Sequence, residues 1–285
     1  MKRILLLGSS GLLGLHLTKF LSTTYKVEKF IHSHKNNFVK KKFVDNFFKH
    51  KNYDIIINLS ALTDIDFCEK NKNKAYKVNF LITKNIVDTL LKFRKDSFYI
   101  FVSTDQFYNN FKKNNEKNAS VRNYYTKTKY LAENYLTKIK SISLRTNFFG
   151  KSKNKTKRQS FTDSIYYNLK RNKEINLADD ILFSPLSILS LNKIIKIICK
   201  KRIIGRYNIG SHGGLSKYEF GNIFAKRLNL KMDLINKVSY KDISFFAKRN
   251  KDMRMVLKKF EKKFNKKLPN LHSEINQTIN EYKKV

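Results

Sequence analysis

Short apolar runs alternate with segments of helical spacing through the first half of the chain. Nearly continuous runs of Ile, Leu, Val, Phe and Tyr predict strands that are buried on both faces. These strands are predicted at residues 4–7, 25–31, 53–59, 97–102 and 141–145. Apolar positions three and four residues apart predict helices between them, at residues 13–21, 38–50, 71–93 and 123–136. This repeated strand–helix order predicts an α/β fold with a doubly wound parallel sheet and right-handed crossovers.

The pattern changes after residue 150. Helices are predicted at residues 161–169, 191–199, 217–228, 257–264 and 271–282, with one short strand at 206–210. We therefore expect one domain over residues 1–150 and a smaller lobe over residues 151–285, from which some segments return to the first domain. The polar stretch 108–123 is predicted to be a mobile loop, and residues 151–158 a basic linker.

The composition fits a globular chain with a core. Of its 285 residues 41% are hydrophobic, and no stretch is apolar for long enough to predict membrane insertion. The N-terminal residues belong to the first strand, so we expect no secretory leader. Cys68 and Cys199 lie far apart and form no redox motif, which fits a reducing, cytoplasmic location. No ligand cluster has metal-binding spacing, so no metal-binding residues are predicted, and whether the protein needs a divalent metal stays open.

The formal net charge of +38 is extreme. Such a charge can indicate a protein that binds nucleic acid or an anionic membrane. Here the basic residues are mostly Lys and are spread along the whole chain, whereas a nucleic-acid footprint is clustered. We therefore expect compositional drift and no specific nucleic-acid partner, although the charge would still attract small anions such as nucleotides.

A glycine-rich turn joins the first strand to the first helix, with the spacing Gly-x-x-Gly-x-x-Gly. Gly8 lets the strand turn sharply, Gly11 lets a pyrophosphate approach the helix N-terminus, and Gly14 lets the helix pack closely on the strand. The turn predicts a dinucleotide site, although the usual spacing is Gly-x-Gly-x-x-Gly and close packing alone is the alternative. The turn residues expected to bind the cofactor are Gly8, Ser10, Gly11, Leu12, Leu13 and Gly14.

Two further segments at strand ends are expected to contact the cofactor. His32 and Ser33 follow the second strand, together with His34 and Lys35. NAD-specific proteins of this architecture carry an Asp or Glu near this point, and its absence favours NADPH, with NADH as the alternative. The small residues after the third strand would border the ligand crevice of an open α/β sheet, and those expected to contact the cofactor are Ser60, Ala61 and Thr63.

Tyr125 and Lys129 are four residues apart at the start of a predicted helix and share one face. A nearby ammonium stabilises a phenolate and lowers the pKa of a tyrosine, so this spacing suits a proton-transfer pair. Thr104, at the end of the preceding strand, is placed to hold a substrate oxygen beside the phenol. Tyr and Lys are both abundant here, so a chance match is the alternative. The position of the pair, downstream of this strand and the glycine-rich turn, favours catalysis.

Three motifs follow one another in a specific order: the glycine-rich turn, Ser103-Thr104-Asp105 and Tyr125-x-x-x-Lys129. Weaker motifs extend over almost the whole chain, at residues 58–66, 78–79, 144–145, 184–185, 205–208, 218–220 and 257–269. Together they resemble the extended short-chain dehydrogenase/reductases, and within them the dTDP-4-dehydrorhamnose reductase-like family of sugar-nucleotide reductases.

The resemblance implies a Rossmann fold with a smaller C-terminal substrate-binding lobe. It also implies an enzyme in which NADPH or NADH reduces the 4-keto group of a nucleotide-linked deoxysugar, for cell-surface polysaccharide synthesis. Carried onto this sequence, Tyr125 would protonate the developing alkoxide, Lys129 would tune Tyr125 and hold the nicotinamide ribose, and Thr104 would bind the sugar oxygen. A homodimer is compatible with the resemblance.

Asp105 and Gln106 would contact the substrate in the same comparison. Gln106 stands where the reductases usually have Tyr and the related dehydratases have Glu. The missing carboxylate argues against dehydratase chemistry and leaves the identity of the sugar open.

Three alternatives stay open. A nucleotide-sugar 4-epimerase would use Tyr125 and Lys129 but keep its cofactor tightly bound. A non-catalytic NAD(P)-binding regulatory subunit would share the fold without the reaction. A nucleic-acid-binding protein would bind DNA or RNA with a steep salt dependence.

Overall fold

A parallel sheet lies at the centre of the molecule and confirms the predicted fold class. The computed structural model describes residues 1–33, 37–110, 114–153 and 159–283. Within these ranges the strands are β1 (Arg3–Leu7), β2 (Lys26–Phe30), β3 (Ile55–Asn58), β4 (Phe98–Val102), β5 (Ser141–Thr146), β6 (Phe148–Phe149), β7 (Ile175–Ala178), β8 (Leu182–Phe183), β9 (Leu186–Ser187), β10 (Gly205–Ile209), β11 (Leu215–Ser216) and β12 (Ile235–Val238). The strand order in the main sheet is β10-β5-β4-β3-β1-β2, and every neighbouring pair is parallel.

Helices connect the strands and cover the sheet. In the described ranges they are α1 (Leu12–Leu21), α2 (Lys41–Lys49), α3 (Ile65–Lys70), α4 (Lys72–Tyr76), α5 (Ile82–Lys92), α6 (Tyr124–Tyr135), α7 (Phe161–Lys170), α8 (Ile188–Lys201), α9 (Lys217–Arg227), α10 (Lys258–Phe264) and α11 (Leu271–Lys283). None of the helices described here is both long and apolar enough to cross a membrane.

Hydrophobic side chains pack against both faces of the sheet. Along β1, Ile4 and Leu6 join the cluster that α1, α8 and α10 cover, whereas Leu5 and Leu7 join the cluster that α2, α5 and α6 cover. All four side chains are fully buried. Successive side chains of a strand point to opposite faces, so a strand between two helical layers must be apolar at every position.

The residues after β5 build a third hydrophobic cluster. It joins α7, α9 and α11 around Phe220, whose ring meets the Phe149 ring edge to face with 4.9 Å between centroids. β10 nevertheless returns to the main sheet beside β5, and α8 and α10 cover the same face as α1. The later part of the chain therefore contributes to both units, and the division into 1–150 and 151–285 stays a prediction.

Short strand pairs connect the segments of this third cluster. β6 pairs with β9, β7 with β12 and β8 with β11. The sequence pattern did not indicate them, because two to four residues are too few to display a period of two. The β8–β11 pair sets the position at which α9 begins.

The single helix predicted over residues 71–93 is divided in the structure. α4 ends at Tyr76, Lys77–Leu81 form a π-helical turn, and α5 begins at Ile82. Within this turn Asn79 is buried, and its amide group bonds the backbone N–H and C=O of Leu62 at 2.8 and 3.1 Å. Apolar spacing continues across the turn, so periodicity does not reveal it. Such π turns inside α-helices are frequent at functional sites.

Two residues of the loop predicted to be mobile over 108–123 are anchored to other segments in the structure. Asn114 is fully buried and donates to the backbone C=O groups of Asp252 and Arg254 at 2.9 and 2.8 Å. Tyr108 is buried as well and donates to Asn208 Oδ1 at 2.6 Å. Asn114 thus satisfies the backbone of a remote segment, whereas Asn110 and Asn118 are exposed, and the mobility of the loop stays a prediction.

Candidate active site

A cleft with a volume of about 650 Å³ opens at the carboxyl ends of β1, β3, β4 and β5. Ligands of open parallel sheets bind at this edge. Most site residues predicted from the sequence lie around it, namely Gly8, Ser10, Gly11, Leu12, Leu13, Gly14, Ala61, Thr63, Thr104, Asp105, Gln106, Tyr125 and Lys129. The glycine-rich turn and the Tyr–Lys pair thus face one common space, and the role of each residue in it stays a prediction.

The glycine turn, residues 8–14, is built by close backbone contacts. Gly8 has a φ of +74°, and a Cβ atom there would lie 2.7 Å from the carbonyl carbon of Leu59. A Cβ on Gly14 would lie 2.2 Å from the Gly8 carbonyl oxygen, so α1 packs directly on the turn. The nearest atom to a Cβ on Gly11 would be 3.4 Å away, which leaves this residue open. An open glycine at the start of a helix fits the pyrophosphate of a dinucleotide.

Tyr125 is buried in the first turn of α6. Asn123 begins the helix: its Oδ1 accepts from the Thr126 backbone N–H at 2.9 Å, and Thr126 Oγ1 accepts from the Asn123 N–H at 3.2 Å. Glu69 of α3 accepts from the Tyr124 N–H at 2.7 Å. These bonds satisfy N–H groups that a helix start leaves unpaired, and they fix the backbone that carries Tyr125.

Lys129 lies one helical turn after Tyr125 and is fully buried. Its Nζ donates to the carbonyl oxygen of Val102, the last residue of β4, at 2.7 Å, and lies 3.9 Å from the centroid of the Phe101 ring. Burial lowers the pKa of Lys129 to about 7, while the charge of Glu133 acts in the opposite direction. The side chain is therefore held at the cleft with a proton that it can lose near neutral pH.

The segment after β4 brings Thr104 and Asp105 to the cleft. Thr104 Oγ1 accepts from the Gln106 N–H at 3.1 Å. The Asp105 carboxylate accepts from Asn147 Nδ2 at 2.9 Å and from Gln106 Nε2 at 3.3 Å. Burial raises the pKa of Asp105 to about 6, although the Asn147 hydrogen bond and the charge of Lys217 both lower it. Asp105 thus has a carboxylate in the cleft with acceptor capacity left for a ligand.

Several buried hydroxyl groups have no hydrogen-bond partner among the described residues. Of these, Ser103 Oγ and Ser152 Oγ belong to residues that line the cleft, and Ser60 Oγ lies just after β3. An unsatisfied buried polar group costs about 1–3 kcal/mol, so it calls for a ligand or an ordered water. Ser103 therefore fits a hydroxyl or phosphate group bound in the cleft.

A remote segment after β12 holds the residues around the cleft in place. Arg249 pairs with Asp66 in α3 at 3.0 Å. Asn250 Nδ2 donates to the backbone C=O of Gln106, next to Asp105. Because this segment contacts both α3 and the end of β4, it fixes the two sides of the cleft relative to each other.

The family model described as the RmlD substrate binding domain matches residues 1–284. The chain belongs to this family. The match spans both the glycine turn and the cleft residues contributed by the later half, so it covers the whole of the candidate site.

Curated relatives and solved structures agree with the family. SpsK, a spore coat polysaccharide biosynthesis protein of Bacillus subtilis (strain 168), is 24% identical over 245 residues, which are 83% of this chain and 83% of SpsK. A dTDP-4-dehydrorhamnose reductase of Aggregatibacter actinomycetemcomitans is 25% identical over 282 residues, 93% of this chain and 94% of that protein. The crystal structure of dTDP-4-dehydrorhamnose reductase from Bacillus anthracis str. Ames, in complex with NADP, superposes with a TM-score of 0.89 at 22% identity, covering 98% and 99% of the two chains. This last likeness shows that the fold is shared.

Three predicted cofactor residues do not line the cleft as the described residues form it. Ser60 lies behind the glycine turn, and its backbone N–H donates to Asn58 Oδ1 at 2.9 Å. His32 and Ser33 follow β2 at the surface, where the His32 ring meets the Phe30 ring edge to face at 5.1 Å. His34 and Lys35 fall outside the described residues. The contribution of this loop to cofactor choice stays a prediction.

The cleft also has lining residues that sequence reasoning did not indicate. They are contributed by the segments around β5, β6 and α7, and include Thr146, Ser152, Lys153, Gln159 and Phe161. The basic linker predicted over residues 151–158 gave one signal for this wall, and residues 154–158 of it lie outside the described ranges. The wall forms through the folding of distant segments, which no local spacing encodes.

Proposed function

We propose that this chain is an NADPH-dependent reductase of the 4-keto group of a nucleotide-linked deoxysugar, similar to dTDP-4-dehydrorhamnose reductase. The observation that carries the proposal is that the glycine turn, Thr104, Tyr125 and Lys129 face one cleft of about 650 Å³. Membership of the RmlD substrate binding domain family supports the proposal. The similarity to the dTDP-4-dehydrorhamnose reductase of Aggregatibacter actinomycetemcomitans, which extends over 94% of that protein, supports it as well.

The residues around the glycine turn fit a dinucleotide. The open side of Gly11 leaves room for a pyrophosphate at the start of α1, and a side chain on Gly8 or Gly14 would collide with neighbouring backbone. No Asp or Glu occurs between Glu28 and Asp45, so the loop after β2 carries no carboxylate to bind a ribose 2′-hydroxyl or repel a 2′-phosphate. This supports NADPH over NADH. When bound, NADPH supplies the hydride.

The chain's own residues complete the reaction. Thr104 hydrogen-bonds the sugar oxygen, and Tyr125 donates a proton to the alkoxide that develops at the reduced carbon. Lys129, on the same face of α6, stabilises the phenolate that Tyr125 becomes. Ser103 and Asp105 offer a hydroxyl and a carboxylate to the hydroxyl groups of the sugar.

The metabolic setting follows from two observations. SpsK, which is related over most of its length, is a polysaccharide biosynthesis protein, and this supports a role in making cell-surface polysaccharide precursors. Cys68 and Cys199 are buried thiols and form no disulfide bond among the described residues, which supports a cytoplasmic location.

The test is cofactor oxidation with a panel of nucleotide-linked 4-keto-6-deoxysugars. We compare wild type with Tyr125→Phe, and use Tyr124→Phe as the matched control because Tyr124 precedes it in the same helix and is only half-buried. Tyr125→Phe should lower kcat by about 10²- to 10⁴-fold, the usual contribution of a positioned acid, while the Kd for NADPH stays unchanged.

Three outcomes would contradict the proposal. Full turnover by Tyr125→Phe would exclude Tyr125 as the proton donor. Purified protein that carries stoichiometric NAD and converts a nucleotide sugar without net oxidation would indicate a 4-epimerase. Cofactor binding without turnover on any panel member would favour a non-catalytic subunit.

A further inference from the structure

Asn147 lies at the carboxyl edge of the main sheet, between β5 and β6. Its backbone C=O accepts from the Leu186 N–H of β9 at 2.9 Å, and β9 pairs with β6. On the other side, β5 is held in the main sheet by its parallel pairing with β4. The backbone that carries the Asn147 side chain is therefore fixed on both sides, which lowers the cost of ordering it around a ligand.

The side chain of Asn147 lines the cleft and contacts Asp105. Its Nδ2 donates to Asp105 Oδ2 at 2.9 Å, and Gln106 Nε2 donates to Asp105 Oδ1 at 3.3 Å. An ionised carboxylate accepts hydrogen bonds and cannot donate them, so the Asn147 amide must turn an N–H towards Asp105. Its Oδ1 is then directed away from this carboxylate, and it accepts no hydrogen bond from any residue that the structure describes.

Asp105 does not depend on Asn147 alone for its hydrogen bonds. Gln106 supplies a second donor, and the Gln106 amide is itself held in place because its Nε2 also contacts Met253 Sδ. The backbone C=O of Gln106 accepts from Asn250 Nδ2. Support of Asp105 therefore accounts for one N–H of the Asn147 amide, and the Oδ1 is the part that this contact leaves available to a ligand.

The strand order places Asn147 at the end of the cleft away from the glycine turn. The glycine turn follows β1, Thr104 and Asp105 follow β4, and Asn147 follows β5. In the sheet, β3 and β4 lie between β1 and β5. A dinucleotide with its pyrophosphate at the start of α1 occupies the β1 side of the cleft, so the space beyond Asp105 is left for the sugar.

We propose that Asn147 is a specificity-determining residue: its Oδ1 accepts a hydrogen bond from a ring hydroxyl group of the sugar, so that the cleft selects a sugar with this hydroxyl group over the analogue with a deoxy carbon there. The inference rests on the proposed function and deepens it. In a 6-deoxyhexose that is linked through carbon 1 and reduced at carbon 4, the remaining ring hydroxyl groups are those at carbons 2 and 3. The substrate class is therefore a nucleotide-linked sugar that keeps at least one of these two groups.

The chemistry of the two groups explains the selection. A hydroxyl group donates and accepts, and the Asn147 amide offers Oδ1 as an acceptor and its second N–H as a donor. A deoxy carbon offers neither, so it would leave polar groups of the closed site unpaired. Sites built to bind a hydroxyl group reject an analogue without it for this reason.

The experiment combines changes in the protein with changes in the ligand. Isothermal titration calorimetry with NADP⁺ present measures the Kd of a nucleotide-linked 6-deoxyhexose, of its 2-deoxy and 3-deoxy analogues, and of the nucleoside diphosphate alone. These ligands are already reduced at carbon 4, so the readout needs no turnover. Burial raises the pKa of Asp105 to about 6, and measurements at pH 8 therefore keep its carboxylate ionised.

The variants are Asn147→Leu, which removes the amide at similar size, and Asn147→Ser, which is too small to block the cleft. The matched control is Asn73→Leu, at an exposed position of α4. NADPH binding by each protein is measured separately, because it reports whether the cleft is still formed.

We expect both Asn147 variants to raise the Kd of the hydroxylated sugar about two- to tenfold, the usual contribution of one hydrogen bond. Wild type should bind one of the two deoxy analogues more weakly by a similar factor. With that analogue the Asn147 variants should show no further loss, because the hydrogen bond is already absent. The Kd for the nucleoside diphosphate and for NADPH should not change, and Asn73→Leu should bind every ligand as wild type does.

Two results would overturn the inference. One is an equal loss of affinity for all three sugars, which would mean a structural role of Asn147. The other is unchanged affinity of both Asn147 variants for the hydroxylated sugar. The outcome for the reaction is separate: coupling between Asn147 and one hydroxyl group in a protein that reduces no 4-keto sugar would support the inference and contradict the proposed function. Reduction without such coupling would do the reverse.

Discussion

Substitution of Gly14 by Ala tests how the glycine turn is built. A Cβ on Gly14 would lie 2.2 Å from the Gly8 carbonyl oxygen and 2.7 Å from the carbonyl carbon of Ser9. All of these neighbours are backbone atoms, and none of them can rotate away. Ordinary contact therefore requires α1 to move away from the turn by about 1 Å, in an interior that is packed as densely as a crystal.

Two opposing effects set the magnitude. Ala in a helix is favoured over Gly by about 1 kcal/mol. Overpacking costs typically about 1–3 kcal/mol and more when backbone must shift, and we take about 3 kcal/mol here. The net loss of about 2 kcal/mol should lower Tm by about 4 to 8 °C in a chain of this size. Differential scanning calorimetry and urea unfolding measure it.

Gly11→Ala is the matched control within the same turn. A Cβ on Gly11 would be 3.4 Å from its nearest neighbour, and its φ of −77° is accessible to alanine. The free energy of unfolding should therefore change by no more than about 1 kcal/mol. The methyl group would instead occupy the space proposed for the pyrophosphate, so the Kd for NADPH should rise at least about tenfold.

Comparison of Gly14→Ala with Gly11→Ala distinguishes an effect of packing on stability from an effect on NADPH binding. A Gly14→Ala protein with the Tm of wild type would refute the packing argument, because α1 would then have adapted without cost. A Gly11→Ala protein that binds NADPH as tightly as wild type would refute the placement of the pyrophosphate at the start of α1.

Three further predictions follow from buried polar groups. Glu133→Gln removes the charged partner of Arg145, which lies 2.7 Å away and is equally buried, so the free energy of unfolding in urea should fall by about 3 kcal/mol or more. Lys129→Met should raise the free energy of unfolding relative to wild type most below pH about 7, and this difference should disappear as the pH approaches 10.5. The reason is that between these pH values the unfolded wild-type lysine binds more protons than the folded one, so that wild type gains stability with rising pH. Urea unfolding across this pH range measures the difference, and the exposed Lys127→Met should show no such trend. Asn79→Ala releases the backbone after β3 from the π turn, and the Kd for NADPH, measured by fluorescence titration, should rise about tenfold while α6 keeps its helical structure.

The main sheet could be predicted from the sequence because its signal is local. β3 and β4 are buried at every position, and such strands appear in sequence as uninterrupted apolar runs. The π turn at Lys77–Leu81 could not be predicted, because it depends on the bond between Asn79 and a loop that lies elsewhere in the chain. A side chain bonded to a remote backbone leaves no trace in hydrophobic spacing.

In the candidate site, too, the local features could be predicted from the sequence and the contacts between remote segments could not. The glycine spacing and the Tyr125–Lys129 spacing each lie within one local element, and both could be read directly. The position of Lys217 on the Phe161 and Phe183 rings could not be predicted, since it needs β11 to pair with β8 and thereby place the start of α9 beside these rings. The pairing of the two-residue strands β8 and β11 determines this position, and strands of two residues are too short to predict from sequence.

The abundance of lysine makes a single lysine uninformative in the sequence and a buried lysine informative in the structure. With 60 Lys and Arg residues, the presence of a lysine at any position carries almost no information. Among the described residues, however, the lysines whose pKa is lowered are Lys129, Lys153 and Lys217, and in each case burial is the largest cause. Two of them line the cleft and the third lies behind its Phe161 wall. Of these three, Lys129 is fully buried, Lys217 is half-buried and Lys153 is exposed. Burial of a cation does not stabilise a protein, so the buried Lys129 fits a cleft that binds an anionic or hydroxyl-rich ligand. The buried charge of Lys129 is therefore more informative about the cleft than the general positive charge of the chain.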